Sequence, residues 1–290
     1  MMITALLTMI LTCVAAAAAT ATAQRDFTER DEFNQTYQLQ PGARVEVSSI
    51  RGSVKIITAD TATAEVQIIR TARTRADLEY HKIEVQQTGN SLVVRGVQEP
   101  EDRRERNIQV NHQVILKLPR RIDLKVSSIS GSVNATELDG PVRVNSVSGS
   151  VNIGNLLGKL EVNSVSGSVE VGNVGEDVRV SSVSGNVGLG QVTGSLNVSS
   201  VSGGVKATLV SLSPEGIRIN SVSGSVEIAF KSDFNADFNA QGISGQVYLD
   251  VPNVIRESEE KSPNVRARIG AGGTSITVTS VSGNVRLTRS

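Results

Sequence analysis

Side chains that commonly carry out catalysis or bind metals are sparse in this chain. His81 and His112 are its two histidines, and neither has another histidine or a cysteine at a metal-ligand spacing. We therefore predict that both are surface histidines with satisfied polar atoms. Cys13, the single cysteine, lies in an apolar N-terminal segment. Removal of that segment on export would exclude disulfides and thiol catalysis. The sequence thus predicts no catalytic residue, no metal site and no cofactor site.

Serine, glycine and the carboxylates do not form motifs of known enzymes. The serines beside glycines do not make the G-x-S-x-G element of hydrolases. The turns carry serine, as in Ser148-Gly149-Ser150, where calcium-binding β-rolls carry aspartate. Glu161 and Glu170 are predicted on opposite faces, so they do not form the acid–base pair of a glycosidase. A carbohydrate-active enzyme nevertheless remains one alternative.

Two columns of outward side chains repeat along the chain. Arg143, Glu161 and Arg179 are spaced by 18 residues and would be neighbours of alternating charge on adjacent coils. We interpret them as a solvated ion-pair ladder that helps to set the register, with a binding patch as the alternative. The second column is predicted to hydrogen-bond along the stack and comprises Asn145, Asn163, Ser181, Ser199 and Asn220.

These columns are positioned by an 18-residue repeat, which indicates a solenoid. The repeated segments begin at Val126, Val144, Val162, Val180, Val198 and Ile219. Each repeat divides into two nine-residue units in which a short strand, a lone apolar residue and a glycine follow one another. Because strands have a period of two, we predict short strands facing the core, with the lone apolar residue as an inward corner. The fold class predicted is all-β, a parallel β-solenoid resembling a right-handed β-helix, with about 18 residues per coil.

The glycines of the repeat are predicted to form turns that require a positive φ. The same role is assigned to Gly140, Gly158 and Gly194 in the second unit of each coil. The turn glycines of the first unit are Gly131, Gly149, Gly167, Gly185, Gly203, Gly224, Gly245 and Gly283.

The rest of the chain is divided by changes in composition. Ala21-Thr22-Ala23 fits a signal-peptidase site, so residues 1–23 are predicted to be a signal peptide of a secreted or periplasmic protein. Residues 24–121 are expected to form an N-terminal β region, a cap and the first coils, and residues 122–250 the regular repeats. A polar insertion loop is predicted at 251–264 and closing strands at 265–290. No later segment is long and apolar enough to span a membrane.

Composition argues against nucleic-acid binding. The 290 residues carry 29 basic and 29 acidic side chains, so the net charge is zero, whereas nucleic-acid-binding surfaces are strongly basic. Aromatic residues make up 3% of the chain and tryptophan is absent, which disfavours platforms for base stacking.

Several motifs are similar to those of a known family. They are Phe33 with Tyr37, the segment 41–47 (PGARVEV), Arg51-Gly52-Ser53-Val54, Val114–Pro119 and the serial SVSGSV segments. In these the chain resembles the putative-adhesin β-strand-repeat proteins, a bacterial envelope and secreted domain of unknown function. The resemblance implies an extended β-helix-like fold outside the cytoplasm, and it supplies no catalytic residue.

We therefore predict a non-enzymatic, exported β-solenoid with a structural or adhesin-like binding role at the bacterial cell envelope. The expected partner is an envelope or extracellular polysaccharide, or a second copy of the chain. Besides the enzyme named above, an envelope sensor or assembly partner that pairs through its sheet edges or ends is an alternative.

Overall fold

The repeats wind into a stack of coils bounded by two parallel sheets. A computed structural model of the chain describes residues 28–98, 110–242, 244–258 and 264–290. The N-terminal elements are β1 (Glu29–Gln38), β2 (Ala43–Ala59), β3 (Thr63–Ala72), α1 (Arg75–Tyr80), β4 (His81–Thr88), β5 (Ser91–Gln98) and β6 (Val110–Pro119). The predicted signal peptide lies outside the described residues.

Twelve strands form the regular repeats. They are β7 (Ile122–Ser130), β8 (Val133–Ala135), β9 (Val142–Ser148), β10 (Val151–Ile153), β11 (Leu160–Ser166), β12 (Val169–Val171), β13 (Val178–Ser184), β14 (Val187–Val192), β15 (Leu196–Ser202), β16 (Val205–Leu209), β17 (Ile217–Ser223) and β18 (Val226–Phe230). The C-terminal strands are β19 (Ala236–Gln241), β20 (Val247–Asp250), β21 (Val254–Arg256), β22 (Val265–Ile269), β23 (Thr274–Ser282) and β24 (Val285–Arg289).

Each coil contributes one strand to either sheet. The odd-numbered strands from β7 to β17 pair in parallel and form what we call the long-strand sheet. The even-numbered strands from β8 to β18 likewise form the short-strand sheet. Leu160 pairs with Val142 on one side and Val178 on the other, so successive coils are offset by 18 residues. The predicted all-β parallel solenoid is confirmed.

The core is a continuous apolar column between the two sheets. Strand alternation turns Val142 and Val144 of β9 inward, where both are buried, while Arg143 between them is exposed. A third inward line, made by Leu138, Leu156 and Val174, comes from the bends that lead back to the long-strand sheet. One coil alone cannot offset its ordering entropy, so burial between neighbouring coils is what stabilises the stack.

At the N-terminal end, the stacking order differs from the chain order. The 17-residue strand β2 crosses both sheets and lies between the β7–β8 coil and the later strands β5 and β6. Strands β1, β3 and β4 add antiparallel partners outside β5 and β6 and cover this end of the stack. The helix α1 has six residues, and none of the helices in the described ranges has the length and hydropathy needed to cross a membrane.

A similar exchange of order occurs at the C-terminal end. Strands β23 and β24 lie between the β17–β18 coil and the strands β19 and β20. They are therefore one coil inside the end and do not close the stack as the chain order suggested. The outer edge of the long-strand sheet is formed by β22 and β21, which are antiparallel to their neighbours. Strand β21 belongs to the segment 251–264, for which a loop was expected.

Candidate functional site

A groove of about 490 Å³ runs along the outer face of the long-strand sheet. The same two outward positions line it in successive coils, from Asp123 at one end to Thr277 at the other. The position between the two buried residues at the strand start supplies Arg143, Glu161, Arg179, Asn197 and Arg218. The residues predicted as a surface ladder thus share one groove, because an 18-residue period brings every eighteenth side chain to the same face.

Of the two neighbouring pairs in the ladder Arg143, Glu161 and Arg179, one forms an ion pair. Arg143 Nε donates a hydrogen bond to Glu161 Oε2 at 2.8 Å across adjacent coils. This hydrogen bond lowers the pKa of the Glu161 carboxyl, and it raises the pKa of the Arg143 guanidinium. A second pair beside it joins Lys159 Nζ to Asp177 Oδ2 at 3.2 Å. Glu161 and Asp177 are therefore each paired with a neighbouring cation.

Two arginines of the groove are available to a ligand. Arg179 and Arg218 are exposed, and neither guanidinium makes a hydrogen bond or ion pair within the described ranges. Asn197 lies between them, because β15 pairs with β13 on one side and β17 on the other. Two coil steps separate the arginines by about 10 Å along the stack. A guanidinium fork binds carboxylates and phosphates through two parallel N–H bonds, so this spacing suits repeated acidic groups.

The edge of the same sheet beside the glycine turns has an inverted pattern. At the predicted inward corner, valine instead faces solvent, and the preceding serine enters the core: Val183 is 49% exposed and Ser182 is 3% exposed. The prediction of an inward corner is wrong in the first unit of each coil, because the strand continues through the expected corner as far as Ser184. In the second unit it is right, since Leu138, Leu156 and Val174 are buried.

The inversion recurs in seven neighbouring coils. The exposed column, which we call the apolar ridge, comprises Ile129, Val147, Val165, Val183, Val201, Val222 and Val281. The buried serines beneath it are Ser128, Ser146, Ser164, Ser182, Ser200, Ser221 and Ser280. Six of these hydroxyls have no hydrogen-bond partner, the exception being Ser146, whose Oγ donates to the carbonyl of Gly149 at 3.4 Å. A buried hydroxyl without a partner costs about 1–3 kcal/mol, so the arrangement opposes stability.

The glycines form a third column at the adjoining turn. Seven of the eight predicted turn glycines have a positive φ, and Gly245 does not. Each stacks on the previous coil so closely that a Cβ at Gly167 would lie 2.3 Å from the carbonyl oxygen of Gly149. Gly140, Gly158 and Gly194 lack the predicted positive φ, but a Cβ there would also collide with backbone of the neighbouring coil. Close approach between coils, more than φ alone, explains the glycines.

Asparagine side chains connect some coils along the stack. Asn163 Nδ2 donates to Asn145 Oδ1 at 3.0 Å in the column predicted to bond in this way. An equivalent bond joins Asn152 to Asn134 on the short-strand sheet, also at 3.0 Å. Glu161 and Glu170 belong to different sheets, as their predicted opposite faces required.

The sequence of residues 43–288 matches the family model described as Toastrack DUF4097. This range contains the groove, the apolar ridge and the whole glycine column. The chain belongs to the Toastrack family. No curated protein matches it in sequence.

Solved structures with low sequence identity are similar to this Toastrack chain. A putative adhesin from Bacteroides fragilis NCTC 9343 is 14% identical with a TM-score of 0.55, and the match covers 89% of this chain and 97% of that one. A putative lipid binding protein from Parabacteroides distasonis ATCC 8503 is also 14% identical with a TM-score of 0.41, and the match covers 89% and 96% of the two chains. At this identity the first similarity shows the fold alone.

The two histidines lie in the N-terminal cap, and the prediction that they are at the surface is wrong. His81 is 6% exposed and His112 is 3% exposed, with ring centroids 6.3 Å apart. Neither ring nitrogen of His112 has a hydrogen-bond partner. Burial and the nearby charges of His81 and Arg70 lower the pKa of His112 to about 4. The alternation of β6 carries a signal for this burial: His112 is two residues before the buried Val114 and faces the same side, and the pairing of β6 with β2 and β3 covers that side.

The described parts of the Toastrack chain contain no group of three or more histidine, cysteine or acidic residues that could hold a metal ion. Among the residues that the structure describes, no carboxylate or thiolate joins the histidine pair as a third ligand, which a stable transition-metal site normally requires.

Proposed function

We propose that this Toastrack protein is an exported, non-enzymatic binding protein whose ligand is an acidic polysaccharide of the cell envelope or the extracellular medium. The observation that supports it best is the groove on the long-strand sheet, in which Arg179 and Arg218 present unpaired guanidinium groups at an interval of two coils. A groove that repeats its side chains coil after coil suits a ligand that also repeats.

The chemistry of the groove fits sugar chains. The guanidinium groups would bind carboxylate or phosphate groups of the polymer, while the Asn197 amide between them offers donors and an acceptor to hydroxyl groups. Lys159 and Asp177 already bind each other, and Asp177 also accepts hydrogen bonds from the Ser195 backbone and side chain. These bonds keep the groove wall ordered before a ligand arrives, which lowers the entropic cost of binding.

The non-enzymatic part of the proposal is supported by the ionisation of the groove. The Glu161 and Asp177 carboxyls both have lowered pKa values, in Glu161 chiefly through the hydrogen bond from Arg143 and in Asp177 chiefly through that from the Ser195 backbone. A glycosidase needs one carboxyl with a raised pKa to protonate the leaving group. The Bacteroides fragilis protein of the same fold bears the name putative adhesin, which is the name of a binding protein.

The test compares retention on an acidic and a neutral polymer. The purified protein should be retained on immobilised polygalacturonate and pass through dextran, and the double variant Arg179→Ala/Arg218→Ala should bind about tenfold more weakly. Lys55→Ala is the matched control, because Lys55 is an exposed cation on the β2 segment of the other sheet. Retention that is the same for the double variant and the control would reject the groove as the binding site.

Turnover and export are measured in the same material. Reducing ends should not appear during incubation with the polymer. If the wild-type protein releases them and Glu161→Gln does not, the protein is an enzyme. The intact mass of protein recovered from the envelope or the medium should correspond to a chain that starts at Gln24. A mass that retains residues 1–23 would reject cleavage of the predicted signal peptide.

A further inference from the structure

The apolar ridge and the turns beside it form an uncharged strip across seven coils. Charged residues make up 20% of the chain, yet none occurs in the segments 127–132, 145–150, 163–168, 181–186, 199–204, 220–225 and 279–284. Each segment contributes one exposed aliphatic side chain, flanked by serine, asparagine, threonine or glycine. Soluble proteins normally intersperse charges on such surfaces to keep other chains away, and this strip has none.

The burial of serine beneath the ridge is not required by the geometry of the coil. In β2, where the register shifts, Ile50 occupies the position that pairs with Ser128 and is fully buried. An aliphatic side chain therefore fits at the inward position in that coil. In the seven coils of the ridge the aliphatic residue is outside and the serine inside, and in six of them the buried hydroxyl has no partner, which opposes stability. Such local conflicts with folding are typical of functional surfaces.

We propose that the apolar ridge is the contact surface of a reversible homodimer, in which two ridges pack antiparallel about a two-fold axis near Val183. Val183 is the fourth of the seven ridge residues, so the rotation places it against its own copy and places Val165 against Val201. Both ridges have one aliphatic side chain every 4.8 Å or so, hence the side chains of the two ridges meet in register along the whole length.

The charge distribution favours a second copy over other partners. An isologous interface sets a surface against itself, so any column of like charge would repel its own copy. The ridge strip avoids this repulsion because it has no charge, unlike the groove with its arginines. It also lacks the lysine, arginine and aromatic side chains by which proteins adhere to anionic lipid surfaces. The strip has no cation that could bind the acidic groups of a polymer. The proposed dimer is therefore independent of the polysaccharide proposal.

The size of the strip determines the strength expected. Six coil steps make it about 29 Å long, and four strand residues make it about 10 Å wide, or roughly 300 Å². Each partner in a stable interface contributes about 800 Å². We therefore expect weak association, detectable at high micromolar concentration and favoured where many copies are held on one surface.

Sedimentation equilibrium across roughly 10 µM to 1 mM tests the dimer. The wild-type protein should show a reversible monomer–dimer equilibrium, and Val183→Lys should reduce the association constant by at least about tenfold. The matched control is Leu157→Lys, which replaces an aliphatic side chain that is 64% exposed but lies outside the strip. The control should associate as the wild type does. Thermal unfolding of each variant establishes that it is folded.

A charge-pair experiment then tests the symmetry. Val183→Glu alone should not associate, whereas an equimolar mixture of Val183→Glu and Val183→Lys should form a heterodimer at least as strong as the wild-type dimer. A wild-type protein that stays monomeric over the whole range would overturn the proposal. So would a Val183→Lys variant that associates like the wild type, or a ridge variant whose only defect is loss of retention on polysaccharide.

Discussion

Ser182 and Val183 are neighbours in sequence, but the strand turns the serine into the core and leaves the valine half exposed. Burial energies alone would favour the opposite arrangement, since an aliphatic side chain gains from burial and an unpaired hydroxyl loses. Alternation prevents this exchange. Val178 and Val180 must face the core. Ser182 comes two residues after Val180 in the same strand, so it faces the core as well.

The buried hydroxyl gives a first prediction. Ser182→Ala should stabilise the protein by about 1 kcal/mol, because it removes a buried hydroxyl that has no partner and leaves only a small cavity. Urea denaturation of the variant measures the change. Ser181→Ala is the control, since Ser181 faces outward and is half-buried, and it should have little effect. Destabilisation by Ser182→Ala would mean that the hydroxyl has a favourable contact in the core.

The glycine column gives a second prediction. Gly167 has a φ of +120°, and a Cβ there would lie 2.3 Å from the Gly149 oxygen. Gly42 has a φ of +82° but nothing within 4 Å of its Cβ position. Gly42→Ala should therefore cost only the conformational strain, about 1 kcal/mol, whereas Gly167→Ala should cost at least about 3 kcal/mol. Equal losses of unfolding free energy for the two variants in chemical denaturation would show that the contact between coils adds nothing to the cost of Gly167→Ala.

The buried histidine gives a third prediction, on pH. The pKa of His112 is lowered from its ordinary 6.5 to about 4, so between these values the unfolded chain binds a proton that the folded chain does not. Stability should therefore fall as the pH decreases from 6.5 to 4, by up to about 3 kcal/mol. His81, Arg70 and Arg51 all face His112 with positive or potentially positive charge, and Asp31 is engaged by Arg70.

Denaturation of His112→Leu separates this contribution from the carboxyl groups that titrate in the same range. Its free energy of unfolding should change less between pH 7 and pH 4.5 than that of the wild type. Identical pH profiles for the two proteins would show that folding does not lower the pKa of His112.

The ladder in the groove gives a fourth prediction. Glu161 accepts a hydrogen bond from Arg143 and lies next to Arg179 in the following coil. Glu161→Arg would place three guanidinium groups on adjacent coils, and the thermal midpoint should fall at low salt and recover at high salt. Glu161→Gln, which removes one charge without adding another, should be much less sensitive to salt. A midpoint of Glu161→Arg that does not respond to salt would rule out repulsion within the ladder.

Much of this molecule follows from the sequence, because the repeat is local. An 18-residue period with apolar residues two apart predicts a parallel stack that buries these paired residues, and this specifies the coil length and most of the core. The same period places Arg143, Glu161 and Arg179 on adjacent coils, as the paired strands show. The family motifs extend over nearly the same residues as the match to the Toastrack model.

Tertiary structure alone decided where each strand ends and which coil lies beside it. The sequence has a valine where a corner was expected, but strand pairing carries β13 beyond that point and so exposes Val183. Strands β23 and β24 lie one coil inside the end. These outcomes depend on hydrogen bonds and contacts between residues far apart in the chain, whose free energies do not appear in any local pattern.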